Sequence, residues 1–152
     1  MGIIAIGSIA LLVTLDQVTK FLAVRLLRPV ASITIIEGIF DLCYVENDGA
    51  AFGIMQGWRW FFVPLTVVIL AAVFLYYRSL AKTKQTGWTR FALILIAAGA
   101  LGNCIDRFRT GYVVDFFRVR FIDFPVFNVA DCCLVVGALL FALLYLLEAR
   151  RA

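Results

Sequence analysis

Four nearly uninterrupted apolar segments divide the chain of 152 residues. They run from about Ile3 to Val24, Trp60 to Tyr77, Thr89 to Ile105 and Asn128 to Leu147. Each is near the roughly 20 residues that a helix needs to cross a hydrocarbon core about 30 Å thick. The pattern therefore predicts four transmembrane helices.

The long connection after the first segment has the character of strands. Ile33–Ile36 and Ile39–Val45 are rich in β-branched and aromatic residues and are separated by a Glu-Gly pair, which predicts a hairpin. Tyr112–Phe121 has a similar composition and is expected to join the same sheet. Asn47–Gly57 begins with a turn signal and continues with apolar residues, which favours a short interfacial helix. The fold class predicted is a mainly α membrane protein with a small β-sheet on one face.

Charged and amide side chains occur at unusual depths in these segments. An ionisable residue inside a spanning helix costs about 2.5–3.5 kcal/mol on insertion scales, so such residues are candidates for function. In a chain that crosses the membrane four times, the end of span one, the end of span three and the start of span four lie at the same face. The residues concerned are Asp16, Lys20, Asn103, Asp106, Arg107, Asn128 and Asp131, with Asp115 in the connection between spans three and four.

Composition supports an integral membrane protein of one domain, residues 1–152. The chain is 64% hydrophobic and 16% charged, with a mean hydropathy of +1.00, and a soluble domain of this size could not bury so much apolar surface. The first apolar segment lacks the basic start and small-residue cleavage site of a secretory leader, so it is predicted to be a retained span. The net charge of +4 is scattered, which gives no support for nucleic-acid binding.

The absence of histidine excludes Ser-His-Asp catalysis and zinc motifs that need His ligands. The four cysteines, Cys43, Cys104, Cys132 and Cys133, contain no C-x-x-C pair. They are expected to be small core residues rather than metal ligands or a disulfide framework.

Each polar group also has a structural interpretation. Asp16 and Lys20 are i,i+4 neighbours and are expected to form a buried ion pair. Asn103, Asp106 and Arg107 share one helix face and could be a polar helix end reaching the interface. Asn128 and Asp131 have the spacing of a helix cap.

Asp115 lies among Val113, Val114, Phe116 and Phe117, where strand alternation could place it in water. It precedes Asp131 by 16 residues, and the intervening segment could fold back to bring the two carboxyl groups together. Two adjacent carboxylates share a proton near neutral pH. One can then take a proton from water while the other donates to a carbonyl oxygen, which is peptide hydrolysis without histidine.

Five motifs, in order and over nearly the whole chain, resemble the bacterial lipoprotein signal peptidases, the type II signal peptidases. They are Asp16-Gln-Val-Thr-Lys20, Glu46-Asn-Asp-Gly-Ala-Ala-Phe-Gly53, Gly102-Asn-Cys-Ile-Asp-Arg107, Gly111-Tyr-Val-Val-Asp-Phe116 and Phe127-Asn-Val-Ala-Asp131.

This resemblance implies an aspartic endopeptidase that removes the signal peptide from prolipoproteins, just before a cysteine that carries a diacylglyceryl group. The family's catalytic pair corresponds to Asp115 and Asp131. Prolipoproteins, membrane lipids and globomycin-type inhibitors are the implied partners, and no metal or organic cofactor is implied. Substrate-binding or scaffold roles correspond to Asp16, Lys20, Asn47, Asn103, Asp106, Arg107 and Asn128.

Charge alone does not decide the orientation in the membrane. The short loop from Arg78 to Arg90 has four Lys or Arg and no acid, which with Arg150 and Arg151 favours cytoplasmic termini. The opposite face nevertheless carries seven arginines. The resemblance implies the bacterial cytoplasmic (inner) membrane, cytoplasmic termini and a site near the outer face, which would make the sheet extracytoplasmic.

A four-helix ion or proton transporter, or a channel subunit, is the main alternative. Its path should carry polar residues through both halves of the bilayer. Here the other halves of all four spans are apolar, which argues against it. A presenilin-type protease would need a Gly-x-Gly-Asp motif that the sequence lacks, and a non-catalytic assembly factor would use the polar cluster only as structure.

Overall fold

Four long helices form the body of the protein in the computed structural model, which describes residues 2–49, 54–81, 83 and 85–150. They are α1 (Ile3–Leu26), α2 (Arg59–Ser79), α3 (Gln85–Arg109) and α4 (Val129–Ala149). All four are long and apolar enough to cross a membrane, which confirms the predicted helical membrane fold. The third extends furthest beyond its predicted apolar segment, because polar residues continue the helix at both ends.

Helix α3 lies at the centre of the bundle. Its apolar window is 61% buried, against 11–17% for the other three helices. Small residues allow this packing: a Cβ added at Gly99 would lie only 2.3 Å from the carbonyl oxygen of Ala130 in α4. A Cβ at Gly102 would lie 2.6 Å from the Asp16 carboxylate. Close backbone approach at small residues is a common way for helices to pack in membranes, and here it brings α1 and α4 together against α3.

A three-stranded antiparallel sheet lies beside the ends of the helices. Its strands β1 (Ser32–Ile36), β2 (Phe40–Asn47) and β3 (Val113–Val119) are ordered β1-β2-β3. The predicted hairpin and the third strand are both confirmed. The hairpin turn contains Gly38 at a φ of +70°, in the left-handed region that glycine adopts at little cost.

The register of the sheet sets the position of the site. Asn47 at the end of β2 is opposite Val113 at the start of β3, and Val45 is opposite Asp115. The segment Asn47–Gly57, predicted to contain an interfacial helix, includes residues 50–53, which lie outside the described part of the chain. Its described residues 54–57 form turns.

The cysteines differ partly from the sequence prediction. All four are free, and Cys43 and Cys133 are buried as expected. Cys104 is half-buried, and Cys132 is exposed, so the prediction of a core position is wrong for Cys132. The physical reason is that Cys132, the fourth residue of α4 after the cap, lines the open cavity described below.

Candidate active site

Asp115 and Asp131 come together because the segment after β3 folds back onto the strand. Phe117 donates its backbone N–H to the carbonyl of Phe127 at 2.8 Å, and Phe127 donates to the carbonyl of Phe117 at 3.1 Å. This pairing brings the start of α4 beside the middle of β3. Asp115 is 2% exposed, because the first four residues of β3 are all buried and simple alternation does not apply. The possibility that Asp115 points into water is therefore wrong.

Asn128 contacts both aspartates. Its side-chain N–H donates to Asp115 Oδ1 at 2.6 Å, and its backbone N–H donates to Asp131 Oδ2 at 3.1 Å. In return, the backbone N–H of Asp131 donates to Asn128 Oδ1 at 2.9 Å. The last two bonds form the predicted capping box of α4. One residue thus caps the helix and connects the two carboxylates.

Two further amides donate to the remaining carboxylate oxygens. Asn47 Nδ2 donates to Asp115 Oδ2 at 2.9 Å, and Asn103 Nδ2 donates to Asp131 Oδ1 at 2.7 Å. Each of the four oxygens therefore accepts a hydrogen bond from protein. A carboxylate oxygen has two lone pairs, so every oxygen retains acceptor capacity for water or a shared proton.

The orientation of the Asn103 amide depends on Lys20. The Lys20 ammonium donates to Asn103 Oδ1 at 2.9 Å, and Asn128 Nδ2 lies 3.2 Å from the same oxygen. Because donors occupy the oxygen side of the amide, its NH₂ group must face Asp131.

Lys20 itself is held by two carboxylates. Its Nζ lies 2.9 Å from Asp16 Oδ2 and 2.8 Å from Asp106 Oδ2, with all three side chains at most 10% exposed. The ion pair predicted within α1 is confirmed, and it extends to α3. The other Asp16 oxygen accepts the backbone N–H of Ala130 at 2.9 Å, so the cluster also fixes the first turn of α4.

Gln17 belongs to this cluster and was not among the predicted site residues. Its amide donates to Asp106 Oδ1 at 2.9 Å and to the carbonyl of Gly102 at 3.3 Å. The sequence did indicate such a role for Gln17, because a side-chain amide inside a membrane span needs a hydrogen-bond partner.

Arg107 lies at the edge of the cluster and is half-buried. Its guanidinium stacks over Phe62 with 4.6 Å between Cζ and the ring centroid, and it donates to the carbonyl of Gly49 at 2.9 Å. The structure therefore brings every predicted site residue into one connected region at one end of the helices. Asn103 and Asp106, at 7% and 8% exposed, do not reach the interface as free polar ends.

A cavity of about 440 Å³ opens beside the two aspartates. The two aspartates contribute to its polar lining together with Asn47, Asn103 and Arg107, and the rest is almost entirely apolar. This apolar cavity, which hydropathy alone did not predict, has a wall formed by Phe124, Pro125, Val126, Phe127, Leu134, Val135 and Val136. A second, polar groove of about 260 Å³ adjoins it at Asn47 and Asp115.

Burial changes the acidity of Asp115. Loss of hydration raises its pKa to about 6, the nearby negative charge of Asp131 adds to the rise, and hydrogen bonds from Asn47 and Asn128 oppose it. The group can thus hold a proton near neutral pH. Among the residues that the structure describes, no three His, Cys, Asp or Glu side chains gather in a way that could hold a metal ion.

The sequence and the structure both match known membrane enzymes. The profile of the signal peptidase (SPase) II family matches residues 8–147. The chain is 46% identical to the lipoprotein signal peptidase of Caldanaerobacter subterraneus over 95% of its length and 97% of that protein. It is 48% identical to that of Clostridioides difficile over 91% of both chains.

Two solved structures have the same fold. One is a bacterial membrane enzyme determined by the in meso method at 2.3 Å, with a TM-score of 0.88 and 34% identity over 95% of this chain and 88% of that one. The other, at 1.9 Å, has a TM-score of 0.81 and 35% identity over 91% and 90% of the two chains. The chain is therefore a multi-pass membrane protein that belongs to the signal peptidase II family, the aspartic peptidases that cleave signal peptides from prolipoproteins.

Proposed function

We propose that Asp115 and Asp131 are the catalytic dyad of this peptidase and that it cuts the bond just before a cysteine carrying a diacylglyceryl group. The observation that carries the proposal is the pair of hydrogen bonds from Asn128 to the two carboxylates, at 2.6 Å and 3.1 Å. Two buried acids held by one residue beside a cavity are arranged to act together.

The reaction needs one proton shared by the pair. The ionised carboxylate takes a proton from water, whose oxygen attacks the carbonyl carbon, while the protonated carboxyl donates to the carbonyl oxygen. Collapse of the tetrahedral intermediate breaks the C–N bond: the proton taken from water goes to the leaving amine, and a hydroxyl of the intermediate returns a proton to the other aspartate. The products are a signal peptide with a new carboxylate and a lipoprotein with a free α-amine on its lipidated cysteine.

The surrounding polar residues have positioning roles in this proposal. Asn47, Asn103 and Asn128 fix the carboxylates through hydrogen bonds of 2.6–3.1 Å. Arg107 lines the cavity and offers a positive charge beside the substrate. Asp16, Lys20 and Asp106 form a buried scaffold that holds the Asn103 amide in place.

The cavity suits an amphiphilic substrate. Its apolar wall on α4 borders the lipid-facing side of the helix, where Val135 and Val136 are more than half exposed. Acyl chains and an apolar signal peptide could enter from the bilayer without crossing water. Globomycin-type peptides, which the resemblance implies as inhibitors, are expected to bind in the same cavity.

The proposed location is the bacterial cytoplasmic (inner) membrane, with both termini in the cytoplasm and the dyad near the outer face. The basic α2–α3 connection then lies inside, as the density of Lys and Arg in short loops favours. Membership of a peptidase family supports this function over the transporter alternative.

A pair of matched substrates tests the substrate class. Purified protein should cleave a diacylglyceryl-modified prolipoprotein at least about 100-fold faster than the same polypeptide with an unmodified cysteine, because binding energy from the acyl chains positions the scissile bond. Equal rates for the two substrates would contradict the proposed specificity.

The pH profile tests the shared proton. Because the pKa of Asp115 is raised to about 6, kcat/KM is expected to fall as pH rises through that region and the pair loses its last proton. Protonation of both acids should lower kcat/KM again at low pH. The apparent pKa of each fall describes the pair of aspartates and not one residue. Activity that stays flat from pH 5 to pH 9, with a stable protein, would contradict the proposal.

A further inference from the structure

The polar groove adjoins the apolar cavity at Asp115 and is lined only by residues outside the helices. It shares Asn47, Asp115, Pro125 and Val126 with the apolar cavity, whereas Asp131 lines only the cavity. A peptide bond held at the two aspartates therefore borders both the apolar cavity and the polar groove.

The chemistry of a prolipoprotein fits this division. The signal peptide and the acyl chains are apolar and match the cavity wall on α4. The residues that follow the cysteine must leave the membrane. Every residue that lines the polar groove is outside the helices: Val45 to Asp48 at and just after the end of β2, Gln56, Asp115 in β3, and Pro125 and Val126 before α4.

From this geometry we infer that the polar groove binds the residues directly after the lipidated cysteine, and that Glu46 and Asp48 make it favour basic over acidic residues there. The inference rests on the proposed function. Asp48 is exposed and forms no ion pair within the described residues. Glu46 lies 3.7 Å from Arg28, which is a long ion pair, and its carboxylate accepts a hydrogen bond from the Tyr44 hydroxyl at 2.7 Å.

Positive charges near the groove limit the size of the preference. Arg28 faces Glu46, and Arg107 reaches the carbonyl of Gly49 from the cavity side. The acidic side chains are also partly solvated, and exposed charge pairs contribute little. We therefore expect the two acids to change relative cleavage rates by about three- to tenfold rather than by orders of magnitude.

Two lipidated substrates that differ only at the two positions after the cysteine, with Lys-Lys in one and Asp-Asp in the other, test this. At low ionic strength the wild type should have a kcat/KM about three- to tenfold higher for the Lys-Lys substrate. The ratio should decrease as salt is added, because the Debye length falls from about 10 Å at 0.1 M to about 3 Å at 1 M.

Charge-neutral variants identify the residues responsible. Glu46→Gln/Asp48→Asn should lower the ratio to below about twofold, since both changes keep size and hydrogen-bonding atoms and remove charge. Glu37→Gln is the matched control, because Glu37 is an exposed acid in the hairpin turn at the far end of the sheet and should leave the ratio unchanged.

A wild-type ratio near one at low salt, or a ratio that the double variant leaves intact, would overturn the inference while the proposed function stands. Failure to cleave either substrate would instead count against the proposed function. The salt dependence of the wild-type ratio supplies a test even if the double variant folds poorly.

Discussion

Asp115→Asn and Asp131→Asn should each lower kcat/KM for a lipidated prolipoprotein by at least about 1,000-fold while the protein remains folded. Asparagine keeps the volume of the side chain but can neither take a proton from water nor donate an acidic proton, and losing acid–base catalysis typically costs about 10²–10⁴-fold per group. Both roles depend on the pair, so either change should be nearly as damaging as both together.

The folded state should tolerate the change at Asp115. Its pKa in the fold, about 6, lies above the ordinary value of 3.8, so the folded protein binds this proton more tightly than the unfolded chain does. Stability from this group is therefore full at low pH and is lost as pH rises through about 6. Asp115→Asn cannot ionise, so the protein avoids this loss of stability as pH rises. That gain offsets the cost of placing an amide NH₂ group opposite the amide donors of Asn47 and Asn128.

Asp123→Asn provides the control for both dyad variants. Asp123 is an exposed acid in the segment between β3 and α4, so its loss removes the same charge without entering the cavity. Rates measured beside thermal unfolding curves would separate chemistry from misfolding. A dyad variant that is folded and retains more than about a tenth of wild-type activity would exclude its aspartate from an essential acid–base role.

Lys20→Met should be the most destabilising single substitution in the polar cluster. Methionine fills most of the lysine volume, but it leaves Asp16 and Asp106 as two buried carboxylates without their shared cation. Removing one partner of a buried ion pair costs about 3–5 kcal/mol, because the remaining charge has neither water nor a counterion. For a chain of this size that corresponds to a drop in Tm of roughly 6–20 °C.

Neutralising the two acids should restore much of the loss. In Asp16→Asn/Lys20→Met/Asp106→Asn none of the three buried charges around Lys20 remains, so thermal unfolding in detergent should give a higher Tm than for Lys20→Met alone. Arg28→Met serves as the exposed control, since the Arg28–Glu46 pair is 3.7 Å long with side chains 61% and 39% exposed, and it should cost under about 1 kcal/mol. A Lys20→Met protein as stable as wild type would contradict this role.

The sequence predicted the architecture well because its main signals are local. Apolar length locates the helices, β-branched runs locate the strands, and the number of crossings determines which helix ends share a face. The convergence of Asp16, Lys20, Asn103 and Asp131 follows from that count and needs no detailed packing.

The sequence did not predict what depends on packing in three dimensions. Asp115 is buried because other elements cover both faces of β3 at this point. The alternation of polar and apolar residues along one strand cannot predict such cover. Lys20 pairs with Asp16 in α1 and with Asp106 in α3 at the same time. This arrangement requires Gly102, whose missing side chain lets the Asp16 carboxylate approach α3. The exposure of Cys132 and the apolar wall from Phe124 to Phe127 depend on how the segment before α4 folds back against β3.

The most direct test of the central claim is to identify the bond that purified protein cuts in a diacylglyceryl-modified prolipoprotein, by mass spectrometry of both products. Wild-type protein should release a signal peptide that ends at the residue before the cysteine, and a lipoprotein that begins with the lipidated cysteine. Folded Asp115→Asn and Asp131→Asn proteins should release neither. Cleavage at another bond by the wild type, or the same two products from either variant at a near-normal rate, would contradict the account.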